Sequence, residues 1–184
     1  MINTPDLTSV KQIAAILVRQ PSDFEDSMVA LGEIFSEVDF IGEFFPFSLT
    51  DYYAPEMGEE LRRGFVSFKK LIHPESLARS KRQARELERK LSLNGNRTVN
   101  IDVGYLDMFK IVLASFKGRS NKIYLEGGIW ADMVMYYENG DFKTFSWGFP
   151  DFKSGIYNAD LVDIRELYKE QFKAERRELR RQKS

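Results

Sequence analysis

Three cations crowd one short glycine-containing stretch: Lys117, Arg119 and Lys122, set around Gly118 and Ser120-Asn121. Backbone N–H groups in such a connection can face an anion. Arg119 carries a planar fork that grips a phosphate or carboxylate through two parallel hydrogen bonds, which a lysine cannot make. Asp102 and Tyr105 flank Val103-Gly104 just upstream, where glycine lets the backbone bend or approach a ligand closely. Tyr124 adds a hydroxyl or a stacking face. Together these residues suit an anion site with an acidic group to orient the ligand, hold a proton or bind a metal. They equally suit a solvated basic turn with Asp102 as a structural acceptor.

A second group is Asp51-Tyr52-Tyr53 with Glu56. The tyrosines can frame a pocket and the carboxylates can bind a hard cation through oxygen; the alternative is an aromatic loop folded over the core. Trp147, Phe149 and Asp151 form a third, weaker group. His73 stands at a helix start, as a cap or surface residue.

Much chemistry is excluded. G-x-x-x-x-G-K-[ST] and G-x-G-x-x-G are both absent, so neither phosphate-binding loop is present. A single histidine rules out multi-histidine metal sites, and zero cysteines rule out disulfides, thiol catalysis and Cys-ligated zinc. No G-x-S-x-G elbow accompanies His73.

The elements that must hold these residues can be read from a chain of 184 residues that is 43% hydrophobic and 30% charged. That is enough for one core and too polar for a membrane protein. The N-terminus lacks the pattern of a signal peptide, and a cytoplasmic location is expected. Net charge is −1, so a wholesale basic surface is absent, although residues 173–184 carry six Lys or Arg against two Glu.

Residues 1–10 read as an arm. An apolar run at 12–18 reads as a buried strand. Ser22 and Glu25 have capping-box spacing, and Phe24, Met28, Leu31 and Phe35 place a helix over 23–36. Strands follow at 38–48 and 62–72, separated by a loop at 50–58. Proline after His73 opens a second helix with a stripe of Leu77, Ala84, Leu87 and Leu91; its basic residues read as a solvated face. A strand at 98–103 completes a strand-helix-strand-strand-helix-strand order, the arrangement of a ferredoxin-like core. Residues 108–116 keep helical spacing and read as a short helix, with strand as the competing reading. Strands at 122–125, 129–137 and 142–147, joined at Gly127-Gly128 and Asn139-Gly140, form a β-meander. A terminal helix covers 160–179. The fold class is thus α+β: one domain over 11–172, with a ferredoxin-like βαββαβ core at 11–103, then helix, antiparallel meander and C-terminal helix at 104–172, and a basic tail at 173–184.

Several separated blocks resemble the signature of an uncharacterised bacterial family, the domain of unknown function 4416 family. They are Asp51-Tyr52-Tyr53, Glu56-Met57-Gly58, NIDVGYL at 100–106, LASFK at 113–117, KIYL at 122–125 and Phe149-Pro150-Asp151. The likeness spans roughly residues 11–168. Val103 departs from a usual proline, and Ser115 to Gly118 from a Thr-Thr-Lys-Asp-like run. The resemblance implies no reaction, ligand or cofactor; it does imply that the blocks form one site.

The first functional expectation is binding of a small anionic ligand, such as a nucleotide or phosphate ester, in a cleft between core and meander. Lys117, Arg119 and Lys122 would hold the anion, Asp102 and Asp51 would orient it or a metal, and Tyr52, Tyr53, Tyr105 and Tyr124 would frame it. An enzyme would need one carboxylate as general base. The second expectation is a non-enzymatic interaction module whose basic terminal helix contacts RNA or an acidic protein.

Overall fold

The structure, a computed structural model, describes residues 9–48, 51–118 and 121–182. Its centre is β1 (Val10–Val18), whose nine residues are all buried. β1 lies between β4 (Arg62–Ile72) and β5 (Val99–Leu106), antiparallel to both. Beyond β4 lie β2 (Val38–Ile41) and the two-residue β3 (Phe45–Pro46). Beyond β5 lie β6 (Lys110–Ser115) and β8 (Ile129–Glu138). The far edge of β8 is shared end to end by β7 (Ile123–Glu126) and β9 (Asp141–Thr144). The result is one nine-stranded antiparallel sheet of order β2-β4-β1-β5-β6-β8-β7, and the fold is α+β.

Strand alternation feeds a core on each face of the sheet. On one face, Ala14, Ile16, Val66, Phe68, Ile101 and Val103 pack with Leu31 of α1 (Pro21–Ile34) and with Leu77, Ala84 and Leu87 of α3 (Leu77–Leu91). Between these helices in the chain, a 3₁₀ turn (Asp51–Tyr53) leads into the short α2 (Ala54–Met57). On the other face, Ile13, Ala15, Phe65, Leu106 and Leu113 meet Phe152 of α4 (Pro150–Lys153) and Leu161, Ile164 and Tyr168 of α5 (Asn158–Gln182). Phe65 and Phe68, three residues apart on β4, serve opposite cores.

A buried ammonium fastens α5 to the sheet. Lys11 is bonded to Asp39 and donates to Gln171 Oε1 at 2.8 Å, while Asp39 also accepts from Ser67 and Gln171 at 2.7 Å each. Burial alone would raise the Asp39 pKa, but these donors hold it below the usual range.

Several expectations change. Residues 108–116 are not a helix: Lys110–Ser115 is strand β6, with Ile111 and Leu113 in one core and Val112 and Ala114 in the other. A run buried on both faces has no alternation to distinguish it from a helix. The capping box at Ser22 is absent, because α1 starts two residues earlier, at Pro21, and Gln20 takes the cap position. The strand expected over 38–48 is broken after Ile41, and the loop at 50–58 contains two helical turns. Both hairpin turns are as expected, with positive φ at Gly127, Gly128, Asn139 and Gly140. Among the described residues no helix is long and apolar enough to cross a membrane.

Candidate functional site

β5 and β6 pair only from Gly104↔Leu113 to Leu106↔Ile111. Upstream of Gly104 the strands part, and α3 fills the opening. Glu88 accepts from the Ile101 N–H at 2.5 Å, and the Lys81 ammonium donates to the Ile101 carbonyl at 2.9 Å. The ammonium also reaches Asp102 Oδ1 at 3.1 Å.

Alternation along β5 puts Asn100 and Asp102 on the α4 face, where a charged network runs across the sheet end. Glu56 of α2 takes the Arg97 guanidinium in a fork, at 2.8 Å from Nε and 2.6 Å from an Nη. Arg97 donates to Asn100 Oδ1 at 2.8 Å, and Asn100 donates to Asp102 Oδ2 at 3.1 Å. Arg63 of β4 lies 3.5 Å from Asp102 and 2.9 Å from Asp151 of α4. Its guanidinium also sits over the Phe152 ring, 4.9 Å from the centroid.

Electrostatics fix the charge states. Burial would raise the Asp102 pKa, yet Lys81 and Arg63 outweigh it and hold the carboxyl below the usual range. Hydrogen bonds from Arg97 lower Glu56. Burial raises Glu88 despite Lys81 and the Ile101 N–H. Burial, then the charge of Asp102, pushes the Tyr53 hydroxyl up to about 12. A general base works best near the operating pH, so the depressed Asp102 and Glu56 are poor ones. Glu88 is shifted in the useful direction but is buried behind the strand.

The expected site residues divide into three sets. Tyr52, Tyr53, Asp102 and Lys117 come together: the Lys117 ammonium lies 3.5 Å from the Tyr52 ring centroid, Tyr52 packs edge-on against Tyr53, and Tyr53 feels the charge of Asp102. Asp51 opens the 3₁₀ turn that presents the two tyrosines. Lys122 is not a free anion ligand, since it pairs with Asp132 at 3.0 Å, with side chains only 7% and 8% exposed. That pair lines a cleft of about 250 Å³ with Asn121 and the segment 147–150, where Trp147 and Phe149 are 60% and 49% exposed. Tyr105 is not part of this group: odd-numbered positions of β5 face the α1–α3 core, against which its ring packs. Tyr124 is exposed at the sheet edge against Trp130. Arg119 lies outside the described residues. Gly104 does meet a close neighbour, but it is the β6 backbone and not a ligand.

Arg63, Lys81, Arg97 and Asp132 were missed. Lys81 and Glu88 had a signal: both fall four residues after a stripe position, Leu77 and Ala84, and both are buried rather than solvated. His73 precedes the 3₁₀ turn that leads into α3, but its side chain makes no cap hydrogen bond. Among the described residues no cluster of three His, Cys, Asp or Glu could hold a metal ion.

The sequence blocks singled out above thus supply Tyr52, Tyr53, Glu56, Asn100, Asp102, Lys117 and Asp151 to the network, and Lys122 to the adjoining cleft. Pro150 lines the cleft and Asp151 holds Arg63, so adjacent residues join the two. No curated protein and no solved structure matches the chain. A family model described as a domain of unknown function, number 4416, matches residues 8–168. The chain therefore belongs to the domain of unknown function 4416 family.

Proposed function

We propose that the protein binds a small anionic ligand carrying a planar ring, of the nucleotide or phosphate-ester class, at the cleft beside the Asp102 network. The observation that carries this reading is the cleft itself: a buried Lys122–Asp132 pair lies alongside two exposed aromatic rings, Trp147 and Phe149. Trp147 is already stacked on Phe145, with centroids 4.8 Å apart and planes 7° from parallel, so its orientation is set. A volume of about 250 Å³ is at or below the lower end for small-molecule pockets. It takes one ring, and the charged portion extends outside. Lys117 is a cation available for that portion, having no carboxylate partner among the described residues.

The reading includes a ferredoxin-like core for residues 11–103. The order β2-β4-β1-β5, antiparallel throughout with α1 and α3 in one core, supports it. A second reading, an interaction module, is favoured by one feature: α5 continues to Gln182, although its last buried residue is Tyr168.

The test is thermal stabilisation by a panel of nucleotides and phosphorylated metabolites. At about 100 times Kd a true ligand adds about 2.7 kcal/mol, which raises Tm by about 5–10 °C in a chain of this size. Trp147→Ala and Lys117→Ala should lower the unliganded Tm only slightly, through the lost Phe145 stack and Tyr52 contact, and remove most of the shift. Deleting residues 173–184 should leave it intact. If no compound in the panel raises Tm, the ligand reading fails.

A further inference from the structure

A second cleft, of about 510 Å³, opens on the opposite face of the sheet between the end of α1 and the start of α3. Gln12 and Ser80 line it; they are 2% and 5% exposed, and the Gln12 amide donates to the Ser80 hydroxyl at 3.2 Å. Lys70 and Arg79 also line it, both exposed and neither in an ion pair among the described residues. His73 completes the lining. Both its ring nitrogens are shielded from solvent and have no hydrogen-bond partner. Glu75 Oε1 lies 3.3 Å from Nδ1, within ion-pair distance but outside hydrogen-bond geometry.

We propose that this cleft is a second binding site, for a small oxyanion of the phosphate class. Shielded polar groups are ordinarily satisfied, and an imidazole always carries at least one N–H donor. With the imidazole turned about its Cβ–Cγ bond toward the cleft, an oxyanion supplies the acceptor that this donor lacks. It also lies beside the Gln12–Ser80 pair and meets Lys70 and Arg79, neither of which has a carboxylate partner among the described residues; Glu75 is the sole acidic residue in the lining. The charge balance of the lining, two fixed cations against one carboxylate, favours an anion over a cation. The Lys122–Asp132 cleft lies on the other face and shares none of these residues, so the two sites stand or fall separately.

His73 is the chain's one histidine, which makes its imidazole resonances a reporter that needs no assignment. The experiment is an NMR titration of the full chain with inorganic phosphate at constant pH, beside a sodium chloride series of matched ionic strength. The expected result is a saturable movement of the His73 and Gln12 side-chain signals with phosphate but not with chloride. In Lys70→Ala/Arg79→Ala the affinity should fall about a hundredfold, about tenfold per charged hydrogen bond lost, with Tm unchanged because both side chains are exposed. The proposal is overturned if the His73 signals stay still under phosphate, if chloride moves them equally, or if the double variant binds as tightly as the parent.

Discussion

Replacing Arg63 by Met tests whether the network at the sheet end stabilises the fold. At an effective dielectric of about 20, a guanidinium 2.9 Å from Asp151 is attracted by about 6 kcal/mol, and one 3.5 Å from Asp102 by about 5 kcal/mol. Desolvating the cation offsets most of that gross attraction. Removing one partner of a buried pair costs about 3–5 kcal/mol, because it leaves an uncompensated charge. Here that charge is Asp151, left with the Tyr157 hydroxyl at 3.4 Å. The expected loss is therefore about 3–5 kcal/mol, a drop in Tm on the order of 10 °C. Urea unfolding of Arg63→Met, Asp151→Asn and the double variant gives the coupling energy directly, with about 2 kcal/mol or more expected. A loss below about 1 kcal/mol, or strict additivity of the two single changes, would refute the reasoning.

Gly104→Ala should destabilise by about 1–3 kcal/mol, because its new Cβ would sit 2.2 Å from the Val112 carbonyl oxygen. Gly32→Ala in α1 meets nothing within 4 Å and should stabilise by about 0.5–1 kcal/mol; thermal melts that fail to show opposite signs contradict both assignments. Asp39, Asp102 and Glu56 have folded pKa values below their unfolded ones, so their stabilisation is present above about pH 4 and is lost as pH falls through the folded values. Glu88 and Asp160, both raised chiefly by burial, work the other way, but the lowered carboxylates outnumber them and predict net acid destabilisation, measurable as Tm against pH. At the alkaline end, Tyr53 and Tyr168 are pushed up to about 12 by burial. The stability they contribute is complete below about pH 10 and is lost as pH rises through about 12, so their tyrosinate absorbance should appear together with unfolding.

Much of the fold was legible because its signals are local. Gly127-Gly128 and Asn139-Gly140 dictate their turns through backbone sterics alone, and the spacing of Phe24, Met28 and Leu31 marks α1 wherever the helix ends up. The site was only half legible. Asp102 and Lys117 were visible as residue types, but Lys122 reads as a free cation until β8 is aligned beside β7 and brings Asp132 to it. Arg63 sits next to Gly64 and Phe65 and resembles the edge of an apolar strand; what keeps it charged comes from Asp102 and Asp151, 39 and 88 residues away. Tyr105 was misplaced by proximity in sequence, since three residues along a strand reverse the face.

The parting of β5 from β6 has one more consequence. An opening inside a sheet is also an internal edge, and exposed edges recruit strands from other chains. Here the two backbone groups of Ile101, which an intruding strand would need, are already held by Glu88 and Lys81. Any such strand would have to displace a carboxylate and an ammonium from these bonds. The charged side chains of α3 thus guard this opening against strand addition, and they do so from the face opposite the Lys122–Asp132 cleft.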